Sequence, residues 1–267
     1  MKNKIHKLVK KILKKYGFTL LKTESYNHLA KKKQKKVVPV HAKNNLLHNL
    51  FTLLQEQGFY PDTIYDIGAN KGTWSKECLK YFSNATYYLF EPQINLKKDI
   101  EQALGNYPNY QLFSLGVGNE NDVLNFTMHE RDDSCSFNYS EAEAKALGFQ
   151  QVKVPIVRLE DFVKEKQLQK PKLLKIDAEG LDLQVLSGAA SLLNTCEIVL
   201  AEVAIMNPNM DNSALKMLSY METLEYKLFD ITDLNRPFKN RALWLCEFVF
   251  IKKNGILDKN YAISEND

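Results

Sequence analysis

An apolar run that ends in a glycine turn constrains the fold of this chain more than any other stretch. Residues 63–67 have the pattern of a strand, the chain turns at Gly68, and a helical pattern follows from Thr73. Three residues separate Gly68 from Gly72, with Asn70 among them, so the backbone can turn sharply and approach a ligand closely. The stretch therefore predicts a strand, a turn and a helix, with a ligand bound at the turn.

A carboxylate follows the next apolar run. Residues 87–90 lead into Glu91 and Pro92, which places Glu91 at the end of a second strand, 23 residues after Gly68. In a parallel sheet an acid at this point can accept hydrogen bonds from both ribose hydroxyls of a nucleoside. The two strands thus predict half of a nucleoside-binding α/β domain. A generic α/β turn with an unrelated acid is the alternative from these residues alone.

The turn differs from the dinucleotide-binding fingerprint, which requires G-x-G-x-x-G. This stretch has Gly68 and Gly72 but no such triplet, which disfavours a nicotinamide-dependent oxidoreductase. Asp66 precedes the turn and suits a ligand that carries positive charge rather than two phosphates. The pattern D-x-G-x-x-x-G, with an acid ending the second strand, resembles the S-adenosylmethionine (SAM) site of class I methyltransferases.

Two further strands are predicted to end in acids. Residues 172–177 form an apolar run that ends in Asp177, and Glu179 follows closely; residues 197–203 carry Glu202 towards their end. Because α/β enzymes bind ligands at the carboxyl ends of parallel strands, these acids are candidates for catalysis. The alternative is that Asp177 caps the next helix and that Glu179 lies in its first turn, where acids are favourable.

Charge is divided unevenly along the chain. Residues 1–43 carry a net charge of +13 and the remainder carries −9. We therefore predict a basic amphipathic N-terminal extension at 1–40, a main domain at 41–255 and a polar tail at 256–267. Hydrophobic residues make up 45% of the chain, which suffices for a substantial core.

The N-terminal extension has apolar residues at helical spacing over residues 2–16, with lysines between them. Such a helix can lie on an anionic membrane surface, with residues 2–36 supplying positive charge. It could equally pack its apolar stripe on the main domain or on a second copy of the chain, as in a homo-oligomer. The lysine run at 31–36 has no interleaved aromatic residues, so we expect no nucleic-acid partner.

The rest of the composition points to the cytoplasm. No apolar run approaches the roughly twenty residues that span a bilayer, and the N-terminus lacks the apolar segment of a secretory signal. The four cysteines are far apart and have no metal-binding spacing, so free thiols and no metal site are expected. We predict a cytoplasmic protein, with peripheral association at the inner face of the membrane as an option.

Several separated blocks together resemble the FkbM-type methyltransferase family across about residues 60–250. The blocks are residues 66–72, 90–92, 115–118, 157–162 and, above all, 174–180 followed by 185–189. The resemblance implies an α/β fold of the class I SAM-dependent methyltransferases, a Rossmann-like three-layer sandwich whose mostly parallel sheet has a reversed last strand. It also implies O-methylation with SAM as methyl donor, often of sugar hydroxyls in glycans or natural products.

The resemblance assigns roles to individual residues. Gly68, Asn70 and Gly72 would line the methionine side of SAM, Glu91 the ribose, and Leu115 with Gly116 the adenine. The full set expected to bind the cofactor comprises Asp66, Gly68, Ala69, Asn70, Gly72, Glu91, Pro92, Leu115, Gly116 and Asp177.

Methyl transfer to oxygen requires alignment of the acceptor and removal of its proton. We expect Asp177 to be the base or to orient the acceptor, with Glu179 second and Glu202 third; His129 is a weaker candidate because a lone histidine is usually an ordinary packed or surface residue. The expected acceptor is a sugar-containing small molecule, glycan or glycolipid. A non-catalytic or nucleic-acid-associated protein of the same fold, held by its basic arm, is the alternative function.

Overall fold

The structure, a computed structural model, describes residues 46–129, 135–137 and 139–259. The chain divides into two units, residues 1–42 and 43–267, and all described residues belong to the second. The predicted basic helix and its membrane or docking role lie outside the described residues. No described helix is both long enough and apolar enough to cross a bilayer.

Helices and strands alternate along most of the described chain. The strands are β1 (Thr63–Ile67), β2 (Thr86–Phe90), β3 (Tyr110–Phe113), β4 (Gly116–Gly118), β5 (Asp122–Met128), β6 (Gln150–Arg158), β7 (Leu173–Ile176), β8 (Ile198–Ala204), β9 (Tyr226–Asn235) and β10 (Leu245–Lys252). The helices are α1 (Leu46–Glu56), α2 (Thr73–Leu79), α3 (Lys97–Leu104), α4 (Glu141–Leu147), α5 (Leu159–Glu165), α6 (Asp182–Gly188), α7 (Ala190–Leu193) and α8 (Ala214–Thr223), with one 3₁₀ turn at Ile94–Leu96.

Seven strands form the main sheet in the order β3-β2-β1-β7-β8-β10-β9. The first five of these pair in parallel, whereas β10 is antiparallel to both β8 and β9. The predicted α/β fold with a reversed last strand is therefore confirmed. Strands β4, β6 and β5 form a second, three-stranded sheet.

Apolar packing on both faces of the main sheet makes the three layers. Every residue of β1 and β7 is buried, as expected for parallel strands with helices on each side. Tyr65 and Ile67 pack in one core cluster with residues of α5, α6 and α8. Ile64, which precedes Tyr65 and faces the other side of the sheet, packs in the opposite cluster with residues of α1 and α3. This arrangement leaves the carboxyl ends of the parallel strands free to form a site.

The third strand of the main sheet ends at Phe113, and the chain then enters β4 of the second sheet. The structure changes one boundary that the sequence predicted. The polar tail does not begin at residue 256, because Leu257 is 1% exposed and packs in the core. The backbone N–H of Ile256 also donates to Glu197. Leu257 therefore anchors this part of the chain in the core.

The four cysteines, Cys78, Cys135, Cys196 and Cys246, are buried and none forms a disulfide bond, as predicted.

Candidate active site

The turn after β1 presses its backbone against the end of β7. Gly68 has φ +73°, and a Cβ at this position would lie 1.8 Å from the carbonyl oxygen of Asp177. The N–H groups of Gly68 and Ala69 both donate to the carbonyl of Phe90, at 2.9 and 3.1 Å. Only glycine allows so close an approach in this conformation. The turn therefore brings the ends of β1, β2 and β7 together.

Glu91, at the end of β2, is held by two backbone donors. Its carboxylate accepts from the N–H of Asn70 at 2.7 Å and from the N–H of Gln93 at 2.9 Å. The side chain is 4% exposed; burial raises its pKa, and these two hydrogen bonds oppose that rise. The side chain of Gln93 also hydrogen-bonds to this carboxylate. A carboxylate has about four acceptor positions, so acceptor capacity remains for a ligand in the adjoining cavity.

Asp66 lies beneath the site rather than in its wall, which corrects the prediction that it contacts the ligand. It is fully buried, accepts from the Ser75 hydroxyl at 2.6 Å and pairs with Lys175 at 3.3 Å. Lys175 also donates to the carbonyl of Gly68 at 2.9 Å and lies 3.4 Å from Asp177. Burial opposes the charge of Lys175, but Asp66 and Asp177 outweigh it and hold its pKa above the usual value.

Gly72 is also absent from the wall of the site. A Cβ here would lie 3.4 Å from the Cβ of Ala103 and from the Cα of Ile100, both on α3. The residue has φ +73° immediately before α2. Its function is therefore to let α2 start in a tight turn against α3, and the prediction of ligand contact is corrected.

One cavity of about 820 Å³ joins most of the predicted residues. Its walls include Gly68, Ala69, Asn70, Glu91, Pro92, Leu115, Gly116, Asp177, Glu179 and Glu202. Phe137 and Val117 add apolar surface next to Leu115. The volume is typical of a small-molecule site with a few placed polar groups.

A row of acids crosses the sheet at the other end of this cavity. Glu202 on β8 pairs with Glu247 on β10, and Glu247 pairs with Asp233 on β9. Asp177 follows β7 one residue beyond the pairing of Ile176 with Ala201, level with Glu202. Like charges directly opposite each other on neighbouring strands destabilise a sheet. Their presence together indicates a functional rather than a structural role.

Burial and mutual repulsion shift the titration of these acids. Burial raises the pKa of Glu179 to about 9, with Asp177 and Asp182 adding to the rise. Burial likewise raises the pKa of Glu202 well above its usual value and that of Glu247 to about 7, although a hydrogen bond from Thr232 opposes the latter. At neutral pH, Glu179 therefore carries a proton and can donate a hydrogen bond.

The segment between β7 and α6 does not use Asp177 or Glu179 as helix caps. Helix α6 begins only at Asp182, and the N–H of Ala178 donates to the Asp182 carboxylate at 3.1 Å. Glu179 has φ +53°, a conformation uncommon for a residue with a side chain. Strained backbone of this kind concentrates at functional sites. The capping alternative from the sequence is therefore wrong.

Sequence reasoning missed the contribution of β9 and β10. Thr232, Asp233, Trp244 and Glu247 all line the cavity. Glu247 was the available signal, because a charged residue within the apolar run of β10 needs a reason to be there. His129, in contrast, packs on Phe149 with ring centroids 4.2 Å apart and is not part of the cavity wall. Within the described ranges, no three His, Cys, Asp or Glu side chains could hold a metal ion together.

Comparison with known proteins places the chain in a family. Residues 66–228 match the model of the methyltransferase FkbM domain. The chain is 25% identical to "Hexuronic acid methyltransferase AglP" of Haloferax volcanii over 194 residues, which are 70% of this chain and 72% of that protein. It is 27% identical to "Methyltransferase 1" of Beauveria bassiana over 150 residues, which are 48% of this chain and 59% of that protein.

Two solved structures with a similar chain path are named as methyltransferases. Precorrin-6y C5,15-methyltransferase of Geobacter metallireducens has a TM-score of 0.42 at 11% identity, covering 76% of this chain and 88% of that one. An rRNA methylase of Streptococcus thermophilus has a TM-score of 0.43 at 11% identity, covering 80% and 98%. At these scores the structures bear on neither the residues of the site nor the acceptor.

The site suits SAM, the methyl donor of this family. Glu91 has free acceptor positions for a ribose diol, and Leu115 lies beside the apolar surface that an adenine ring needs. The carboxylates Asp177 and Glu179 line the same cavity, and their surroundings favour positive charge such as that of a sulfonium. Because the family model matches residues 66–228, more than half of its length, the chain belongs to the FkbM methyltransferase domain family, whose members are SAM-dependent enzymes.

Proposed function

We propose that this protein is an O-methyltransferase that methylates a hydroxyl group of a sugar in a glycan, polysaccharide or glycolipid. The observation that carries the proposal is the single cavity that runs from Glu91 to Asp177 and on to the acidic row. One end suits a nucleoside, and the other suits a polyhydroxylated acceptor. The relative from Haloferax volcanii is named for methylation of a sugar acid, which supports a sugar acceptor.

In this proposal the cofactor lies along the turn after β1. Gly68, Ala69 and Asn70 border the methionine portion, and Glu91 with Pro92 holds the ribose. Leu115 and Gly116 face the adenine, as the family resemblance implies. Direct contact from Asp66 and Gly72 is not part of the proposal, because both lie behind the wall of the cavity.

Asp177 is the proposed base. Its side chain is 38% exposed and pairs with Lys175 at 3.4 Å, so its carboxylate can reach an acceptor while Lys175 orients it. SAM bound along the turn would supply an electrophilic methyl group to the acceptor oxygen and would leave as S-adenosylhomocysteine. Asp177 takes the hydroxyl proton in this step. Glu179, protonated at neutral pH, instead donates a hydrogen bond to the acceptor.

The cofactor part of the proposal is tested by calorimetric titration with S-adenosylhomocysteine. NAD is titrated in parallel, and Glu91→Ala is compared with the wild type. We expect micromolar binding of S-adenosylhomocysteine, loss of that binding in the variant and no binding of NAD. Absence of S-adenosylhomocysteine binding to the wild type would contradict the proposed function.

The catalytic part is tested by turnover on the acceptor that a screen of oligosaccharides and glycolipids identifies. Asp177→Asn should lower kcat by about 100- to 10,000-fold, the usual contribution of a general base. Glu179→Gln is the matched variant, because glutamine imitates the protonated acid; we expect a loss below about tenfold. Full turnover in Asp177→Asn would show that the base is another group.

We also propose that the protein works at the cytoplasmic face of a membrane, held there by residues 2–36. The support is the charge of +13 over residues 1–43, since each lysine near an anionic surface contributes about 1 kcal/mol to binding. Vesicles with and without anionic lipid, each mixed with the full chain and with a chain lacking residues 2–36, test this. Equal binding by the two proteins to anionic vesicles would contradict it.

A further inference from the structure

We infer that a small chamber beside the catalytic carboxylates is the acceptor subsite, and that Asn212 and Trp244 select an uncharged sugar ring there. This inference rests on the proposed function, because it names the part of the site that receives the sugar and the charge that the sugar can carry.

The chamber opens from the same carboxylates that end the main cavity. It has a volume of about 200 Å³, and Glu179, Glu202, Trp244 and Leu245 line both spaces. A space of this size holds about six or seven waters at liquid density, which is the scale of one sugar ring rather than of a chain of sugars. A ring in the chamber would present its hydroxyls to Glu179 and Glu202.

Asn212 is a polar group that the protein itself does not satisfy. The residue is 2% exposed, it lines the chamber, and its side-chain oxygen has no hydrogen-bond partner among the described residues. Its backbone carbonyl accepts from Ala204 at 3.0 Å, which fixes the residue at the end of β8. An unpaired buried amide is unfavourable. The oxygen has almost no accessible surface as placed, so a rotation of the side chain towards the chamber is needed for a sugar hydroxyl to supply the missing partner.

Trp244 offers an aromatic surface in a fixed position. Its backbone N–H donates to Asn235 and its carbonyl accepts from Ile205, both at 2.9 Å. Phe238 packs edge-on against its ring, with centroids 5.6 Å apart. The ring is only partly buried and borders both the chamber and the main cavity. A rigid indole of this kind can pack against the C–H face of a sugar while its neighbours bind the hydroxyls.

The charges around the chamber exclude an anionic ring. Among the described residues that line the chamber there is no Lys, Arg or His. Two acidic residues, Glu179 and Glu202, do line it. Burial most of all, and then the field of Asp177 and Asp182, raises the pKa of these two glutamates, although Lys175 opposes the rise. The same field acts on a ligand that lies between them, so a carboxylate or phosphate on the sugar would be unfavourable here.

Matched pairs of sugars test the inference. Methyl glycosides of glucose, galactose and mannose are compared with the corresponding methyl glycosides of the uronic acids, which differ only in a carboxylate. Binding is measured by saturation-transfer NMR in the presence of saturating S-adenosylhomocysteine. We expect at least one neutral glycoside to bind, and its uronic acid counterpart to bind at least about tenfold more weakly.

Variants locate the binding in the chamber. Asn212→Ala and Trp244→Phe should each weaken binding of the neutral glycoside by about three- to tenfold, the effect of one lost hydrogen bond or contact, and should leave the affinity for S-adenosylhomocysteine unchanged. Asn209→Ala, at an exposed site on the same loop, is the control. Unchanged S-adenosylhomocysteine binding also shows that the variants are folded.

Three results would overturn the inference: tighter binding of a uronic acid, no binding of any neutral glycoside, or unchanged glycoside binding in both variants. Failure of the proposed function is distinct from these, because it appears as absence of S-adenosylhomocysteine binding to the wild type.

Discussion

The two ends of the cavity differ in how their polar groups are satisfied. At the cofactor end, both oxygens of Glu91 accept backbone hydrogen bonds, and the N–H groups of Gly68 and Ala69 are paired. At the other end, where we propose that the acceptor binds (the acceptor end), Glu202, Glu247 and Asp233 are paired on neighbouring strands, and burial raises the pKa of Glu202 and of Glu247. The polar groups of the first end are hydrogen-bonded within the protein. The second end keeps polar groups that the protein does not satisfy, such as the side-chain oxygen of Asn212.

Folding therefore stabilises the geometry of the cofactor end, whereas the groups at the acceptor end reduce the stability of the sheet. The cofactor end combines a turn with adjacent strands, so its geometry follows from folding itself. The acceptor end keeps groups that weaken the sheet, and such groups are tolerated where function needs them. Four substitutions test whether the two ends differ in this way, and they are given from the largest expected effect to the smallest.

The largest effect is expected from Gly68→Ala. Its Cβ would meet the Asp177 carbonyl at 1.8 Å in a backbone conformation with φ +73°, so β1 and β7 would have to separate. We expect a loss of more than about 4 kcal/mol in the free energy of unfolding, measured by urea denaturation, and no binding of S-adenosylhomocysteine. Gly58→Ala is the control, because Gly58 has φ +80° but no atoms nearby. It should lose about 1–2 kcal/mol; an equal loss in both would contradict the close approach.

Lys175→Met should come next. It removes the partner of Asp66, which is fully buried, and an uncompensated buried charge costs about 3–5 kcal/mol. Denaturation of Lys175→Met and of exposed Lys170→Met tests this, with little change expected in the latter. The double variant Asp66→Asn/Lys175→Met should recover part of the loss. If it is no more stable than Lys175→Met alone, the ion pair is not what holds the turn.

Glu91→Gln should have a smaller effect, confined to the cofactor end. Both Glu91 oxygens accept backbone N–H groups, and a glutamine has only one acceptor oxygen, so one donor would lose its partner. We expect S-adenosylhomocysteine to bind about 10- to 100-fold more weakly by calorimetry, equivalent to about 1.5–3 kcal/mol. Exposed Glu101→Gln should bind as the wild type does. Unchanged affinity in Glu91→Gln would remove Glu91 from the cofactor site.

The smallest effect concerns the pH dependence of stability at the acceptor end. Because the folded-state pKa of Glu179 is about 9 against an ordinary value of 4.5, the folded protein holds this proton over a range where the unfolded chain has lost it. Stability therefore falls as pH rises between these values. Glu179→Gln avoids this loss. Because Glu179 is partly exposed, solvent screens most of the effect, so at pH 9 we expect the Tm of the variant to exceed that of the wild type by about 2–4 °C, near 1 kcal/mol.

The control for this pH dependence is exposed Glu120→Gln, which should follow the wild type from pH 6 to pH 9. A wild-type Tm that is constant over this range, or that rises, would mean that the acceptor end does not carry the buried negative charge described here.

Sequence patterns predicted the strand, the glycine turn and the acid of the next strand end because these signals are local. A strand, a glycine turn and an acid at the next strand end lie within 29 residues, from Thr63 to Glu91. Their geometry depends on backbone freedom and strand direction, which residue types reveal directly. The same local patterns placed Asp66 and Gly72 next to the turn. They did not show that the side chain of Asp66 and the Cα of Gly72 point away from the cavity rather than into it.

The α/β class, the turn at Gly68, and the positions of Glu91 and of the acids after β7 could all be predicted from the sequence. Each of these features depends on residues that are neighbours along the chain. Only the tertiary structure decided that β10 lies between β8 and β9, which places Glu247 beside both Glu202 and Asp233. It also decided that Asn212 and Trp244 border one chamber with Glu179. These residues come from separate segments, and no local pattern specifies which segments will meet, because strand order is set by packing of the whole sheet.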